Sequence, residues 1–115
     1  MKQMIREFNL ELDRPTVDVA LRRLEAELEA SRHLKRPVIK LIHGYGSSGQ
    51  GGRIRTACRK QLEQLRQQGK IHSWLPGERF SIFEEEARQA MARCPVLRED
   101  RDRERENRGI TFVLF

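Results

Sequence analysis

The middle of the chain places a short apolar run directly before a glycine-rich segment: VIKLIHGYGSSGQGG, residues 38–52. Residues 38–42 are apolar and mostly β-branched except for Lys40, which is typical of a strand buried on both faces. Five of the eight glycines lie in residues 43–52, and this density permits close backbone approaches that a Cβ forbids. Apolar residues then recur at helical spacing from about Arg53 to Gln68. The stretch therefore predicts a strand, a loop and a helix in succession.

The flanking sequence continues this alternation of strands and helices. The predicted elements are a strand at Phe8–Leu12, a helix from about Pro15 to His33, a strand at Ile71–Leu75, a shorter helix from Ser81 to about Arg93 and a strand at Ile110–Phe115. Residues 97–108 are rich in both charges and are expected to form a solvated loop. This order predicts an α/β fold, a two-layer βαβαβ(α)β sandwich with a four-stranded sheet.

Size and composition restrict the class of protein. A length of 115 residues predicts one domain, residues 1–115. Hydrophobic residues make up 37% and charged residues 35%, so we expect a small core with charged appendages. No apolar stretch is long enough for a membrane helix, and residues 1–10 lack the apolar region of an export signal. We therefore expect a cytoplasmic protein that does not associate with membranes.

The net charge of +6 is concentrated in residues 53–76, which hold six basic residues and one acidic residue. On a helical wheel, four of them fall in one narrow sector. These residues, named here the basic stripe, are Arg55, Arg59, Arg66 and Lys70. Such a stripe predicts contacts with nucleic-acid phosphates. The alternative is a solvated helix face that is basic only for solubility.

Acids and arginines alternate closely in residues 98–108, so the local charge nearly cancels. This pattern argues against a basic nucleic-acid tail. A loop that contacts a protein partner, within residues 97–108, remains an alternative.

The junction between the glycine loop and the second predicted helix has the features of an anion site. The free amides of a first helical turn and the helix dipole attract anions, and Arg53 and Arg55 add positive charge there. The loop residues assigned to phosphate binding are Gly44, Tyr45, Gly46, Gly49, Gly51 and Gly52. Tyr45 is also the best candidate for stacking on a base. A surface connection without a ligand remains the alternative, and neither a complete dinucleotide fingerprint nor a Walker motif is present.

Three segments together resemble the small MutS-related (Smr) domain family. They are residues 10–14 (LELDR), 42–46 (IHGYG) and 109–113 (GITFV). The resemblance implies a fold like the C-terminal domain of translation initiation factor three. It also implies binding to DNA or RNA, which some members of the family nick or cleave. Relative to the family, residues 77–108 are predicted to be an insertion, with a short helix and a charged flexible loop.

The chain departs from the family pattern at two places, and both affect the expected chemistry. Asp13 and Arg14 replace the His and Gly of the first motif, and Asn107-Arg108-Gly109 replaces a Gly-Gly-x-Gly approach to the last strand. An endonuclease needs a base or a metal ion and cations on the phosphate. His43 is the candidate base, or a hydrogen-bond donor to phosphate. Its alternative role is to shape the loop through backbone hydrogen bonds.

Asp13 and Glu11, also near a strand end, are the candidate acidic residues of such a nuclease, where they could hold a divalent cation. No resident metal site and no other cofactor are predicted. The sequence thus predicts a nucleic-acid-binding domain with DNA or RNA as partner, and endonuclease activity as a further expectation. The alternative function is a non-catalytic module that docks on a protein or ribonucleoprotein. Neither a preference between DNA and RNA nor an oligomeric state follows from these residues.

Overall fold

The protein forms a mixed sheet with helices packed against it. The computed structural model describes residues 5–45 and 51–115. In chain order, the elements in these ranges are strand β1 (Arg6–Asn9), helix α1 (Val17–His33), strand β2 (Val38–Ile42), helix α2 (Gly51–Gln67), strand β3 (Ser73–Pro76), helix α3 (Glu85–Arg93) and strand β4 (Ile110–Leu114). Short 3₁₀ helices at Gly77–Arg79 and Pro95–Glu99 flank α3. None of the helices in the described ranges is long and apolar enough to cross a membrane.

The four strands have the spatial order β1-β2-β4-β3. β1 and β2 are parallel, whereas β4 is antiparallel to both β2 and β3. The C-terminal ends of β1, β2 and β3 therefore meet the N-terminal end of β4 at one edge of the sheet. The glycine segment that follows β2 begins at this edge, which we call the loop edge.

Helices cover both faces of the sheet. Side chains of α1 and α2, including Leu24 and Leu62, pack with Ile39, Leu41 and Val113 on one face. On the other face, α3 and the 3₁₀ helix at Pro95–Glu99 pack against side chains that alternate with these along β2 and β4. The predicted α/β sandwich with a four-stranded sheet is confirmed. The burial of β2 on both faces, predicted from residues 38–42, agrees with this arrangement.

The first strand ends earlier than the alternation predicts. β1 stops at Asn9 because the chain turns directly afterwards, where the Arg14 amide donates to the Glu11 carbonyl at 2.9 Å. Asp13 and Arg14 have φ angles of 63° and 48°, which lie in the left-handed region. The apolar side chain of Leu12 is consequently exposed.

The third helix begins later than the capping pattern predicts. α3 starts at Glu85 rather than at Ser81, because Ser81 forms a separate turn. Its hydroxyl accepts from the Phe83 amide at 3.1 Å, and its carbonyl accepts from the Glu84 amide at 3.0 Å. We call residues 81–84 the Phe83 turn.

The single charged residue of β2 lies under the segment that the sequence assigns to a solvated loop. The side chain of Lys40 is 1% exposed, and its Nζ lies 2.9 Å from Asp100 and 2.6 Å from Asp102. A third carboxylate, that of Glu7, lies at 3.5 Å. Burial by itself lowers the pKa of Lys40, but its bonds to the two aspartates raise it above the ordinary value. Residues 98–108 are therefore fixed to the sheet by a buried ion cluster.

Candidate functional site

Two glycines bring the predicted loop motif and the last strand together at the loop edge. The amides of His43 and Gly44 both donate to the Gly109 carbonyl, at 2.9 and 3.1 Å. Gly44 has φ +70°, and a Cβ there would collide with the Glu11 carboxylate. The positive φ favours glycine, and any other residue would also require the Glu11 side chain to move. The IHGYG and GITFV segments thus form one backbone junction.

His43 lies at the end of β2 and is fully buried, with 0% of its surface exposed. Its Nδ1 lies 2.7 Å from the Gly44 carbonyl oxygen, and its Nε2 lies 2.7 Å from the Thr111 hydroxyl. A carbonyl oxygen only accepts, so we assign the proton to Nδ1, and Nε2 then accepts from Thr111. Burial, assisted by the charges of Arg59 and Arg55, lowers the pKa of His43 to about 4. The ring is therefore neutral at pH 7 and holds the turn in place. Its role as a base stays a prediction.

Arg59 of the basic stripe is directed into the protein. Its Nη1 and Nη2 donate to the two carboxylate oxygens of Glu78 at 2.7 and 2.8 Å. Its Nε donates to the Thr111 hydroxyl at 3.0 Å, and Nη2 also reaches the Ile110 carbonyl. Partial burial raises the pKa of Glu78, yet the bonds from Arg59 hold it below its usual range. Arg59 thus connects α2 to β4 and is not a free phosphate ligand in this arrangement.

Arg66 is neutralised on its own helix. It donates to the Glu63 carboxylate at 2.8 Å through Nε, and the Trp74 indole donates to the same carboxylate at 3.0 Å. The hydrogen bonds from Arg66 and then Trp74 lower the pKa of Glu63 to about 2. Lys70 follows the helix and is exposed. The basic stripe is therefore interrupted by two ion pairs.

The remaining predicted phosphate ligands lie around the start of α2. Gly51 and Gly52 are its first two residues. Arg53 is exposed and Arg55 half-buried, and the charge of Arg55 acts on the buried ring of His43. Gly46 and Gly49 lie outside the described residues. The structure thus brings Arg53 and Arg55 to the loop edge.

The two acidic residues predicted for catalysis have different surroundings. The carboxylate of Glu11 lies against Gly44, whereas Asp13 is exposed on the turn after β1. No group of three or more His, Cys, Asp or Glu side chains within residues 5–45 and 51–115 is arranged to hold a metal ion. The assignment of Asp13 and Glu11 to catalysis stays a prediction.

A basic surface that the sequence analysis missed lies beside Tyr45. Three arginines and this tyrosine line a depression of about 700 Å³, with Asp102, Glu106 and Asn107 completing its wall. The arginines are Arg101, Arg105 and Arg108. We call Tyr45 and these three residues the arginine surface. Tyr45 is 58% exposed, and neither Arg105 nor Arg108 has an ion pair among the described residues.

Three of the five acids in residues 98–108 bind other groups, whereas Glu106 lines the depression with the arginines. Asp100 and Asp102 bind Lys40, and the Glu104 carboxylate accepts from the Ile82 amide at 2.8 Å. Burial raises the pKa of Asp102, but the hydrogen bonds from Lys40 and Asn107 keep it below the usual value. Asp100, Asp102 and Glu104 therefore bind groups other than the neighbouring arginines. The sequence contained one signal for this arrangement. A lone lysine in a buried strand requires acidic partners, and residues 98–108 supply them.

Asn107 connects the buried ion cluster to the glycine junction. Its Nδ2 donates to Asp102 at 3.0 Å, and its Oδ1 accepts from the Gly109 amide at 2.9 Å. Gly109 in turn accepts from His43 and Gly44. A continuous set of hydrogen bonds thus runs from Asp102 to the loop and fixes the arginine surface relative to it.

Comparison with known proteins supports this architecture at the level of the fold. No protein-family model and no curated protein matches the sequence significantly. The structure is similar to the crystal structure of the Smr domain of MutS2 from Thermus thermophilus. The TM-score is 0.59 with 22% sequence identity, and the alignment covers 96% of both chains. The Smr-like fold predicted from the three motifs is thereby confirmed.

Proposed function

We propose that this chain, which has the Smr fold, binds nucleic acid at the loop edge through the arginine surface and the first turn of α2. The observation that carries the proposal is the grouping of Tyr45 with Arg101, Arg105 and Arg108 around one depression. A cationic surface with an exposed aromatic side chain offers two interactions that nucleic acids accept: ionic contacts to phosphates and stacking on bases.

Charge separation within residues 98–108 supports this proposal. Asp102 lines the depression, but its oxygens accept from Lys40 and Asn107. Arg105 and Arg108 are exposed and keep their charge available to an anion. Phosphate contacts by such side chains release counterions, so binding would weaken as salt is added.

The start of α2 extends the same surface. It follows β2 beyond the loop and therefore belongs to the loop edge. Its free amides and helix dipole favour an anion, and Arg53 adds an exposed charge in the first turn. Arg55 lies in the same turn. These contacts are sequence-independent and suit a phosphate backbone.

The proposal assigns binding, and it gives His43 a positioning role. Both ring nitrogens of His43 are used by Gly44 and Thr111, and the ring is enclosed. His43 therefore keeps the backbone junction with Gly109 in the geometry that presents Tyr45. Strand cleavage, with Asp13 and Glu11 as participants, remains a separate prediction from the family resemblance.

Fluorescence anisotropy with labelled DNA and RNA tests the proposal. The affinity of the wild type should fall steeply between about 50 and 200 mM salt. The variant Arg105→Ala/Arg108→Ala should bind about tenfold more weakly at low salt and reduce the salt slope by about 2. Its matched control is Arg22→Ala/Arg32→Ala, which removes the same charge from exposed positions on α1.

The control separates a binding surface from general positive charge. Equal losses in both double variants would show that only net charge matters and would contradict the proposal. Absence of binding to any oligonucleotide at low salt would refute it and favour a protein-docking module.

A further inference from the structure

We infer that the nucleic acid held at the arginine surface is single-stranded, with unpaired bases stacked on Tyr45 and on Phe83. This inference rests on the proposed function and specifies its substrate class. It depends on a second exposed aromatic residue, located where the Phe83 turn joins the arginine-bearing segment.

Phe83 is exposed to an unusual extent and is nevertheless held in place. It is 84% exposed, although burial of a phenylalanine normally stabilises a fold. The Phe83 amide donates to the Ser81 hydroxyl at 3.1 Å, and Arg88 Nη1 donates to the Ile82 carbonyl at 2.7 Å. A backbone that is already fixed loses little entropy when a ligand stacks on the side chain it carries. The turn thus presents Phe83 from a preorganised backbone.

The Phe83 turn and the arginine-bearing segment form one unit. The Glu104 amide donates to the Phe80 carbonyl at 2.9 Å, and the Glu104 carboxylate accepts from the Ile82 amide at 2.8 Å. Hydrogen bonds from Ser81 and then Ile82 hold the pKa of Glu104 below its usual range. Glu104 is adjacent in the chain to Arg105, which lines the depression with Tyr45. Two adjacent residues thus connect the two aromatic sites. Glu104 binds the Phe83 turn, and Arg105 lines the depression beside Tyr45.

Stacking on two protein side chains selects for unpaired bases. In a duplex each base is already stacked between its neighbours and paired, so its faces are not accessible without an unstacking cost of a few kcal/mol. A single strand can place its bases on aromatic side chains while its phosphates contact arginines. The combination of Tyr45, Phe83 and the three arginines of the arginine surface matches this second case.

The exposed apolar surface around Phe83 is too small for a typical protein interface. Protein interfaces bury contiguous apolar patches with few charges at their centre. Beside Phe83, only Ile82 is a large exposed apolar side chain, at 48%. Its other close neighbours in the chain are Glu84, Glu85 and Arg88. Phe83 is therefore an isolated aromatic contact, and the charges that would hold phosphates are those of the arginine surface.

The test compares a labelled single strand of about 12 nucleotides with the same sequence as a duplex. We expect the wild type to bind the single strand at least tenfold more tightly at equal salt. Tyr45→Ala and Phe83→Ala should each weaken single-strand binding about tenfold and leave duplex binding nearly unchanged. Leu34→Ala is the matched control, because Leu34 is an exposed apolar residue at the end of α1. Circular dichroism checks that every variant is folded.

A spectroscopic signal reports stacking directly. A single strand that contains 2-aminopurine should change its fluorescence on binding, and the change should shrink in Tyr45→Ala and Phe83→Ala. The conservative variant Tyr45→Phe should show the same fluorescence change as the wild type. Equal or tighter binding of the duplex, or unchanged single-strand affinity in both alanine variants, would overturn the inference. If Arg105→Ala/Arg108→Ala still weakens binding in that case, the proposed function stands without it.

Discussion

Helix α2 and residues 98–108 differ in how the charge counted from the sequence compares with the charge at the surface. α2 and the residues that follow it hold most of the net positive charge, yet Arg59 and Arg66 are bound by Glu78 and Glu63. Residues 98–108 are nearly neutral in sequence, yet their aspartates face Lys40 and their arginines face outward. The nearly neutral segment therefore still presents Arg105 and Arg108 at the surface without an ion pair among the described residues.

This difference shows that the direction of each charge matters more than the segment total. An ion pair with a residue far along the chain removes a charge from the surface, and spacing within a segment does not reveal it. Glu78 lies 19 residues from Arg59, and Asp102 lies 62 residues from Lys40. Mutations that break these pairs can distinguish cations with a structural role, such as Lys40 and Arg59, from those that we propose bind nucleic acid.

The largest effect is expected from Lys40→Met. The substitution leaves Asp100 and Asp102 without the cation that neutralises them at 8% and 13% exposure. Removing one partner of a buried ion cluster should lower the free energy of unfolding by about 3–5 kcal/mol. Urea denaturation measures it, with the exposed Lys60→Met on α2 as control. A midpoint equal to that of the wild type would contradict the described cluster.

The next largest effect is expected from Arg59→Ala, which tests the structural role of this α2 residue. The variant loses the bidentate pair with Glu78 and the hydrogen bonds to Thr111 and Ile110. We expect a loss of about 2–3 kcal/mol in stability, while the salt slope of nucleic-acid binding stays near the wild-type value. A reduction of that slope by about 1 would instead identify Arg59 as a phosphate ligand.

A pH dependence of similar size should arise from His43. Its folded-state pKa of about 4 lies below the ordinary value of 6.5, so between these values the unfolded chain binds a proton that the folded chain does not. Stability must therefore fall as the pH falls through this window. Between pH 7 and pH 5 we expect a loss of about 2 kcal/mol in urea denaturation.

The other two histidines supply the control for this measurement. His33→Gln/His72→Gln leaves His43 as the only histidine of the three, and the loss between pH 7 and pH 5 should persist. If the variant showed no loss of stability between pH 7 and pH 5, the buried ring of His43 would not be the source of the pH dependence.

The smallest effect is expected from Arg66→Ala. The side chains of Arg66 and Glu63 are 45% and 36% exposed, and ion pairs in contact with solvent contribute little. Stability should change by less than about 0.5 kcal/mol, and single-strand affinity should stay within about twofold. If Arg66→Ala lowered single-strand affinity as much as Arg105→Ala/Arg108→Ala does, the basic stripe would be identified as the ligand surface. The comparison of α2 with residues 98–108 would then be wrong.

Local patterns in the sequence were sufficient for most of the fold. The bounds of β2 are as predicted, and those of α1 and α2 are within two residues, because apolar periodicity reports burial directly. Ser81 misled the prediction of α3, since its hydroxyl caps a turn rather than a helix. The sequence did not predict the backbone junction of His43 and Gly44 with Gly109, which lies more than 60 residues away in the chain. The sequence also did not predict the exposed arginines. Their acidic neighbours Asp102 and Glu104 bind Lys40 and Ile82, which are far away in the chain.

Strand β4 follows every other element in the chain but lies between β2 and β3 in the sheet. Translation proceeds from the N-terminal end, so β3 has no strand partner until β4 leaves the ribosome. Gly109, which receives the amides of His43 and Gly44, emerges at the same moment. The backbone junction at the loop edge is therefore incomplete in the nascent chain until Gly109 and β4 have emerged.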